Sequence, residues 1–369
     1  MPNESPETLI QIERAAKEFA LALNGERDFA SKWNSEAGGF FRSLTVPAQH
    51  NGPGATAEMC AQIMYQLGCY STDNGFNFSM AAHLFAAVIP LGGYGKNDVH
   101  ASALENMVNG SIGANAMTES GSGSDSFHMK TVARKNDQTY VLNGTKIFVT
   151  NGPVARYFVV YALTDPAKGF FGGISCFLLD RTKHRFTIGA AVEKSSLKNS
   201  PMCELFFDDC LVEEQYRIGE EGAGAMIFME SMDWERSCIA AMHAGTMRRL
   251  CNGAAEYVKQ RIRGDKALSE LQGVQFKIAD IDVMTETARL MAIRAAALTD
   301  QKKGTVAAAQ AKIMASEYLV ESARLAILLQ GGNGIVSANG LTDVLADAQA
   351  AMVYSGPNDV LRDLIASRL

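Results

Sequence analysis

The spacing of apolar residues along the chain indicates three regions that differ in secondary structure. Up to about Asn109, apolar side chains recur every three or four positions, as in Ile10, Ala15, Phe19 and Leu23. This spacing is typical of α-helices that bury one face. The first region is therefore predicted to be helical.

The middle region carries short segments rich in β-branched and aromatic residues, which are typical of strands. The segments are 139–142, 146–150, 157–161, 174–179 and 203–207. Asn143-Gly144 and Asn151-Gly152 follow two of them and predict turns, because both residue types tolerate positive φ. No helix of crossover length separates consecutive strands, so we expect an antiparallel sheet and not a parallel, doubly wound one.

Helical spacing returns after Gly224 and continues to the end of the chain. Long amphipathic stretches cover about 225–261, 269–299 and 306–330, and a glycine-rich break at 331–334 precedes two shorter predicted helices. Long helices joined by short links favour an up-and-down bundle. The predicted fold class is α+β, with an N-terminal helical domain (1–112), a small antiparallel β domain (113–219) and a C-terminal helical bundle (220–369).

The composition bounds the class of protein but not its activity. The chain has 369 residues, of which 47% are hydrophobic, so more than one packed unit is expected. Its 34 Lys and Arg against 40 Asp and Glu, scattered along the chain, argue against a nucleic-acid partner. The N-terminus is polar and no window approaches the roughly 18 apolar residues of a membrane span, so we expect a cytoplasmic protein without one. The seven cysteines and six histidines lack metal-site spacing, which predicts reduced thiols and no metal.

A loop rich in glycine and serine, residues 115–125, joins the first two regions. Such a loop leaves backbone N–H groups unshielded and can approach a phosphate or the polar edge of a flat cofactor. No strand–turn–helix unit surrounds it, so it is not a dinucleotide fingerprint. Taken alone, it fits a flexible linker as well.

The remaining motifs supply a context for this loop. Met117-Thr118-Glu119 followed by Gly-Ser-Gly-Ser-Asp, then 142–146 and 148–152, resembles the β-domain signature of the acyl-CoA dehydrogenase family. The resemblance extends from Val46-Pro47 to the glycine-rich break at 331–334 and covers nearly the whole chain.

This resemblance implies FAD bound between the β domain and the bundle, and an enzyme that removes the α-proton of an acyl thioester while a hydride leaves Cβ for flavin N5. It places Met117 and Thr118 at the pyrimidine edge, Phe148 against the ring system and Thr150 near N5. The other implied cofactor residues are Gly123, Ser124, Val149, Arg261, Gln272, Leu328, Gly331, Gly332, Pro357, Asn358 and Asp359. The implied substrate contacts are Ser124, Arg236, Ser355 and Gly356. Arg261 and Gln272 would reach the FAD of a neighbouring subunit, which implies a homodimer or homotetramer.

Abstraction of an α-proton requires a positioned carboxylate, and burial of a glutamate makes it a stronger base. The commonest family position for this glutamate follows a tyrosine near the C-terminus, where this chain has Ser355 after Tyr354. Some branches carry the base on a bundle helix immediately before an arginine, and this chain has Glu235 before Arg236 there. We predict that Glu235 is the base. Without the resemblance, a solvated helix glutamate beside an arginine would explain the same pair.

Other positions also depart from the family pattern. The usual Phe and Pro are missing from 263–267, Leu328 replaces a Gln, Ala346 an Arg and Pro357 a Thr. These positions concern cofactor and subunit contacts, so they indicate a divergent branch.

Four functions fit these observations. The leading one is FAD-dependent dehydrogenation of a small acyl-CoA, and its alternative is the same chemistry on an acyl, hydroxyacyl or aminoacyl group tethered to a carrier protein in biosynthesis. A flavin oxygenase and an inactive flavin-binding protein complete the set. The retained Gly/Ser loop and Glu235 favour a dehydrogenase over an oxygenase. The expected electron acceptor is an electron-transfer flavoprotein or oxygen.

Overall fold

The structure, a computed structural model, describes residues 6–26, 28–121 and 129–369. The N-terminal region contains α1 (Pro6–Ala22), α2 (Phe29–Asn34), α3 (Glu36–Arg42), α4 (Ala57–Tyr70), α5 (Asn74–His83), a π-helical segment (Leu84–Val88), α6 (Ile89–Tyr94) and α7 (Asp98–Val108). The strands are β1 (Gly113–Ala116), β2 (Val132–Asn136), β3 (Thr139–Thr150), β4 (Tyr157–Leu163), β5 (Ile174–Asp180), β6 (Thr187–Ile188), β7 (Met202–Glu213) and β8 (Arg217–Ile218), with a short helix, α8 (Phe170–Gly173), before β5.

The C-terminal region contains α9 (Gly224–Gln260), a hairpin of β9 (Ile262–Arg263) and β10 (Lys266–Ala267), α10 (Gln272–Asp300), α11 (Thr305–Gln330), α12 (Leu341–Ala351) and α13 (Asn358–Ala366). The predicted α+β class is confirmed. The predicted domain boundaries fall between α7 and β1 and between β8 and α9, and they stay predictions.

Polar side chains at the helix starts explain where several helices begin. Asp73 accepts a hydrogen bond from the Phe76 N–H at 3.0 Å at the start of α5. At the start of α4, the Asp300 carboxylate accepts from the N–H groups of Ala57 and Glu58 at 2.8 and 3.1 Å. A carboxylate at a helix N-terminus satisfies free N–H groups and complements the helix dipole. Because Asp300 ends α10, this contact also ties the N-terminal helices to the bundle.

One helical stretch does have the length and hydropathy of a membrane span, contrary to the sequence prediction. Asn74–Tyr94 comprises 21 residues and its best window has a mean hydropathy of 1.3, but 89% of that window is buried inside the protein. The stretch is a core helix, and its apolar character follows from its being surrounded by protein.

The central sheet is mixed and not purely antiparallel. Its order is β6-β7-β3-β2-β4-β5-β8, with β1 paired to β4. β4 runs parallel to β1 and to β2, whereas the other pairs of this sheet are antiparallel. β3 returns antiparallel on one side of β2, and β4 then lies on the other side. Two parallel neighbours therefore arise without a crossover helix.

The turn predicted at Asn143-Gly144 is wrong. The two strands predicted on either side form one strand, β3, whose pairing with β7 shifts between Leu142 and Gly144. Gly144 has φ of 147°, and a Cβ there would lie 2.5 Å from Thr131 Oγ1. Glycine thus permits a bulge against a neighbouring strand. The turn at Asn151-Gly152 is confirmed, with Asn151 at φ of 67°.

Helix α9 lies where the apolar cores meet. One core joins the N-terminal helices to the bundle and includes Leu67, Met80 and Ala292, together with Ile239 and Met242 of α9. The second core lies under the sheet and includes the start of α9 at residue 227. The start of α9 therefore packs against the sheet, and its middle packs between the N-terminal helices and the other bundle helices.

Candidate active site

Glu235 lies in the middle of α9 and is only 5% exposed. Its Oε1 accepts a hydrogen bond from the Ser355 hydroxyl. Burial raises the pKa of Glu235 above its ordinary value, and Ser355, Arg236 and Lys312 oppose that rise without cancelling it. A buried carboxylate with a raised pKa is a stronger base than a solvated one. The structure therefore brings the family's two alternative base positions together, with the carboxylate on α9.

Ser355 belongs to a tight turn between α12 and α13. Ser355 and Gly356 have φ of 53° and 93°, both in the left-handed region. Arg236 donates from Nε to the Ser355 carbonyl at 3.0 Å, and Lys312 donates from Nζ to the Gly356 carbonyl at 2.9 Å. A Cβ at residue 356 would lie 3.2 Å from Leu361 and 3.4 Å from Arg236. Glycine is favoured here by its φ, and a larger residue would also push Leu361 and Arg236 slightly away.

An aromatic wall lies next to this turn. The Tyr354 ring packs against Phe78 of α5, with centroids 4.1 Å apart and the ring planes tilted by 31°. Its hydroxyl lies 2.6 Å from His243 Nε2. Burial lowers the pKa of His243 to about 3, so the imidazole is neutral at neutral pH. The site is thus assembled from α5, α9, α11 and the α12–α13 turn.

The segment after β1 is anchored by a buried ion pair. Lys146 donates from Nζ to the Met117 carbonyl at 3.0 Å and to Glu119 Oε1 at 2.8 Å. The Thr118 carbonyl accepts from the Ile147 N–H at 2.8 Å. Burial lowers the pKa of Lys146 to about 8; burial also opposes ionisation of Glu119, but Lys146 and hydrogen bonds hold the pKa of Glu119 below its ordinary value. These hydrogen bonds therefore hold the backbone of Met117 and Thr118 in place.

Phe148 is turned out of the sheet by a second irregularity of β3. The β3–β7 register shifts between Lys146 and Val149, and Phe148 has φ of 55°. Its side chain is 61% exposed, whereas Val149 is fully buried. A bulge re-aims side chains, and positive φ in a bulky residue is an unfavourable conformation that points to a functional constraint. A large, flat, exposed aromatic surface thus lies beside the anchored segment, with Thr150 at the end of the strand.

A separate cleft of about 720 Å³ lies on the bundle. Arg261, Leu328, Gly331 and Gly332 line it together with Tyr257. A Cβ at either glycine would meet no atom within 4 Å, so it would project into open space. The structure therefore brings four of the predicted cofactor residues together and leaves room for a ligand beside them. Gln272 begins α10 and is exposed, outside the lining of this cleft.

The remaining predicted residues divide between buried and exposed positions. Asn358 is 5% exposed, and its side chain accepts from Lys312 at 2.8 Å and donates to Ser316 Oγ at 3.0 Å. Asp359 lies next to it, with its side chain 97% exposed, and Pro357 precedes α13. Gly123 and Ser124 lie outside the described residues. The roles of these residues toward a cofactor stay predictions.

Sequence reasoning missed Phe78, His243 and Lys312. Only Lys312 had a usable signal: it is a charged residue on a helix face that also carries Ala308 and Ala315. Phe78 and His243 have no local signal, because an aromatic residue or a histidine on an apolar face is ordinary core material.

Comparisons with known proteins identify the family and several relatives of this chain. The family model described as acyl-CoA dehydrogenase, middle domain, matches residues 114–210, and the model of the C-terminal domain matches 222–369. An L-prolyl-[peptidyl-carrier protein] dehydrogenase of a Serratia species is 38% identical over 339 residues, which cover 91% of this chain and 88% of the relative. A solved structure described as PigA with FAD and proline covers 100% of this chain and 99% of its own, at TM-score 0.94 and 34% identity. The crystal structure of the prolyl acyl carrier protein oxidase AnaB covers 99% of each chain, at TM-score 0.93 and 29% identity.

Proposed function

Since this chain belongs to the acyl-CoA dehydrogenase family, whose members are FAD-dependent oxidoreductases acting on CH–CH bonds, we propose that it oxidises the Cα–Cβ bond of an aminoacyl group held as a thioester on a carrier protein. The group we propose is prolyl or a close analogue of it. The observation that carries the proposal is the buried Glu235 carboxylate beneath the Ser355 turn. The choice of substrate class rests on the similarity to a prolyl-carrier dehydrogenase along 91% of this chain.

Glu235 is the group that removes the α-proton in this proposal. Its raised pKa, caused by burial, favours proton transfer from a weak carbon acid. The proton comes to rest on the carboxylate. The backbone N–H of Ser355 donates to the thioester carbonyl and stabilises the negative charge that develops on its oxygen. The Ser355 hydroxyl, donating to Oε1, orients the carboxylate.

Bound FAD supplies the acceptor for the hydride that leaves Cβ. The residues proposed to hold it from the β domain are Met117, Thr118, Phe148, Val149 and Thr150. The residues proposed to reach it from the bundle cleft of a second copy are Arg261, Leu328, Gly331 and Gly332. The open space above the two glycines and the exposed Phe148 ring fit a large flat cofactor. A homodimer or homotetramer is therefore part of the proposal.

The aromatic wall supports a small acyl group. The rings of Phe78 and Tyr354 pack against each other at 4.1 Å beside the turn that carries Ser355, and the Tyr354 hydroxyl contacts His243. In the proposal, the acyl group extends from the base toward these rings, and a long chain would have to displace one of them. A five-membered ring attached directly to the thioester carbonyl requires no such space.

The test is anaerobic reduction of the bound flavin by defined thioesters. We expect an L-prolyl thioester on a carrier protein to bleach the flavin absorbance in a single turnover, and butyryl-CoA to do so more slowly or not at all. Faster bleaching by butyryl-CoA would overturn the substrate assignment and favour the acyl-CoA function. Subsequent exposure to oxygen or to an electron-transfer flavoprotein identifies the acceptor by the rate at which the flavin colour returns.

The role of Glu235 is tested by Glu235→Gln, which keeps the shape and removes the base. We expect a yellow, FAD-loaded protein in which the prolyl thioester no longer reduces the flavin, a loss of at least about a thousandfold. Glu256→Gln is the matched control, because Glu256 is an exposed glutamate on the same helix, bonded to Gln260 at 2.7 Å. Undiminished bleaching in Glu235→Gln would exclude Glu235 as the base.

A further inference from the structure

Lys312 is a fully buried lysine on α11. Ala308 and Ala315, one helical turn before and after it on the same helix face, are also fully buried. A lysine is rarely buried without paired groups, because its ammonium loses hydration. Lys312 therefore needs a specific reason for its position.

The hydrogen bonds of Lys312 lead to the turn that carries Ser355. Its Nζ donates to the Gly356 carbonyl at 2.9 Å and to Asn358 Oδ1 at 2.8 Å. Arg236 donates to the carbonyl immediately before, that of Ser355, at 3.0 Å. Two cations on two helices thus hold successive carbonyls of one turn whose φ values are both positive.

The same two cations lie near a single buried anion. Lys312 and Arg236 both act on the charge of Glu235, and each favours its ionised form. The titratable and charged groups around Glu235 and Lys312 are Asp233, Arg236, Cys238 and His243 on α9, Glu317 on α11, Tyr354 on the turn, and Asp359 and Arg362 on α13. Asp233 pairs with Thr305 at 2.6 Å, and Glu317 pairs with Arg362 at the surface. His243 is neutral near neutral pH. Lys312 is therefore a buried cation on α11 whose positive charge opposes the negative charge of Glu235 on α9.

We infer that Lys312 is a positioning residue for the reaction: its ammonium holds the Ser355–Gly356 turn against Glu235 and stabilises the negative charge of that carboxylate. The inference rests on the proposed function of Glu235 as the base. Lys312 itself touches neither the carboxylate nor the reacting atoms. Burial lowers the pKa of Lys312 to about 7, with Arg236 adding to the decrease and Glu235 opposing it, so the ammonium is charged on the acid side of neutrality.

The test measures the ionisation of Glu235 directly, without substrate. Infrared spectra of the FAD-loaded protein are recorded against pH, and the C=O stretch of the protonated Glu235 carboxyl is identified by its loss in Glu235→Gln. We expect Lys312→Met and Lys312→Gln each to raise the midpoint of this titration by about one pH unit, because a nearby cation favours the carboxylate. Lys312→Gln keeps a hydrogen-bond donor to the turn but removes the charge, so it separates the effect of the charge from that of the hydrogen bond. It also replaces Lys312→Met in the test if that variant does not fold.

Ser316→Ala is the matched control. Ser316 lies one helical turn after Lys312 and bonds the same Asn358 side chain, but it carries no charge. We expect its midpoint to equal that of the unmodified protein. Lys312→Arg keeps the positive charge, so its midpoint should also stay close to that of the unmodified protein. An unchanged midpoint in both neutral variants would overturn the inference, and so would an equal shift in Ser316→Ala.

A second readout separates this inference from the proposed function. At a fixed pH below the midpoint, the prolyl thioester should reduce the flavin of Lys312→Gln about tenfold more slowly than that of the unmodified protein. The two rates should converge as the pH rises. If no prolyl thioester reduces the flavin but the infrared midpoint still moves, the substrate proposal fails and the role of Lys312 stands. If the prolyl thioester reduces the flavin normally but the infrared midpoint does not move, the substrate proposal stands and the role of Lys312 fails.

Discussion

Truncation of Phe78 should widen the acyl side of the site. Phe78→Ala removes a ring that is 8% exposed and packs at 4.1 Å against Tyr354, the residue before Ser355. Loss of a buried phenyl group should reduce the free energy of unfolding by about 3 kcal/mol, the lower end of the usual range, because part of the vacated space adjoins the substrate. Each additional methylene buried there contributes about 0.8 kcal/mol. Two methylenes then change the ratio of kcat/KM for hexanoyl over butyryl thioesters by about 15-fold.

The assay is steady-state dehydrogenation of carrier-bound or pantetheine thioesters of increasing chain length, with unfolding in urea measured on the same samples. Phe76→Ala is the control, because Phe76 lies two residues earlier on α5 and packs against Phe29 and Trp33, away from Tyr354. We expect Phe76→Ala to lose similar stability without a change in chain-length preference. An unaltered hexanoyl-to-butyryl ratio in Phe78→Ala, with the protein folded and FAD-loaded, would refute the assignment of Phe78 to the acyl wall.

Two further predictions concern the cofactor and acid stability. Phe148→Ala should change the free energy of unfolding of the FAD-free protein by less than about 0.5 kcal/mol, because the ring is exposed. The same variant should bind FAD at least about tenfold more weakly in a fluorescence titration. Equal FAD affinity would contradict the placement of Phe148 against the flavin. Burial lowers the pKa values of His83 and His243 to about 3, so the unfolded chain binds more protons between pH 6.5 and 3 and the protein should lose stability as the pH falls through that window. The slope should reach about 1.4 kcal/mol per pH unit for each histidine, and His83→Gln should reduce it; urea unfolding between pH 7 and 4 measures both, and an identical slope in the variant would exclude His83 as a source.

Patterns within a short stretch of chain were enough to locate most elements. The predicted helix at about 225–261 is Gly224–Gln260 in the structure, and the segment predicted at 306–330 is Thr305–Gln330. A helix that buries one face needs an apolar residue at each turn, and that requirement can be observed without knowing what covers the face. The same holds for the turn at Asn151-Gly152, whose residues tolerate the required φ.

Prediction from the local sequence pattern failed where two different local structures require the same residue types. Asn143-Gly144 fits a hairpin turn and a bulge equally well, because both need a residue that tolerates positive φ. The close approach of Thr131, the residue immediately before β2, is what the bulge accommodates. The apolar stretch at 74–94 has the length of a membrane span, and only its burial among other elements shows it to be a core helix.

The candidate site shows the same division. The sequence by itself determined the family resemblance, the carboxylate available as a base and the absence of the usual one, since these depend on residue types in order along the chain. The contact of Glu235 with Ser355 joins residues 120 positions apart. The aromatic wall and the buried Lys312 likewise depend on helices that are distant in sequence. Only the tertiary structure decided these contacts, because side-chain proximity and loss of hydration arise when separate elements pack together, and no property of a single element specifies its neighbours.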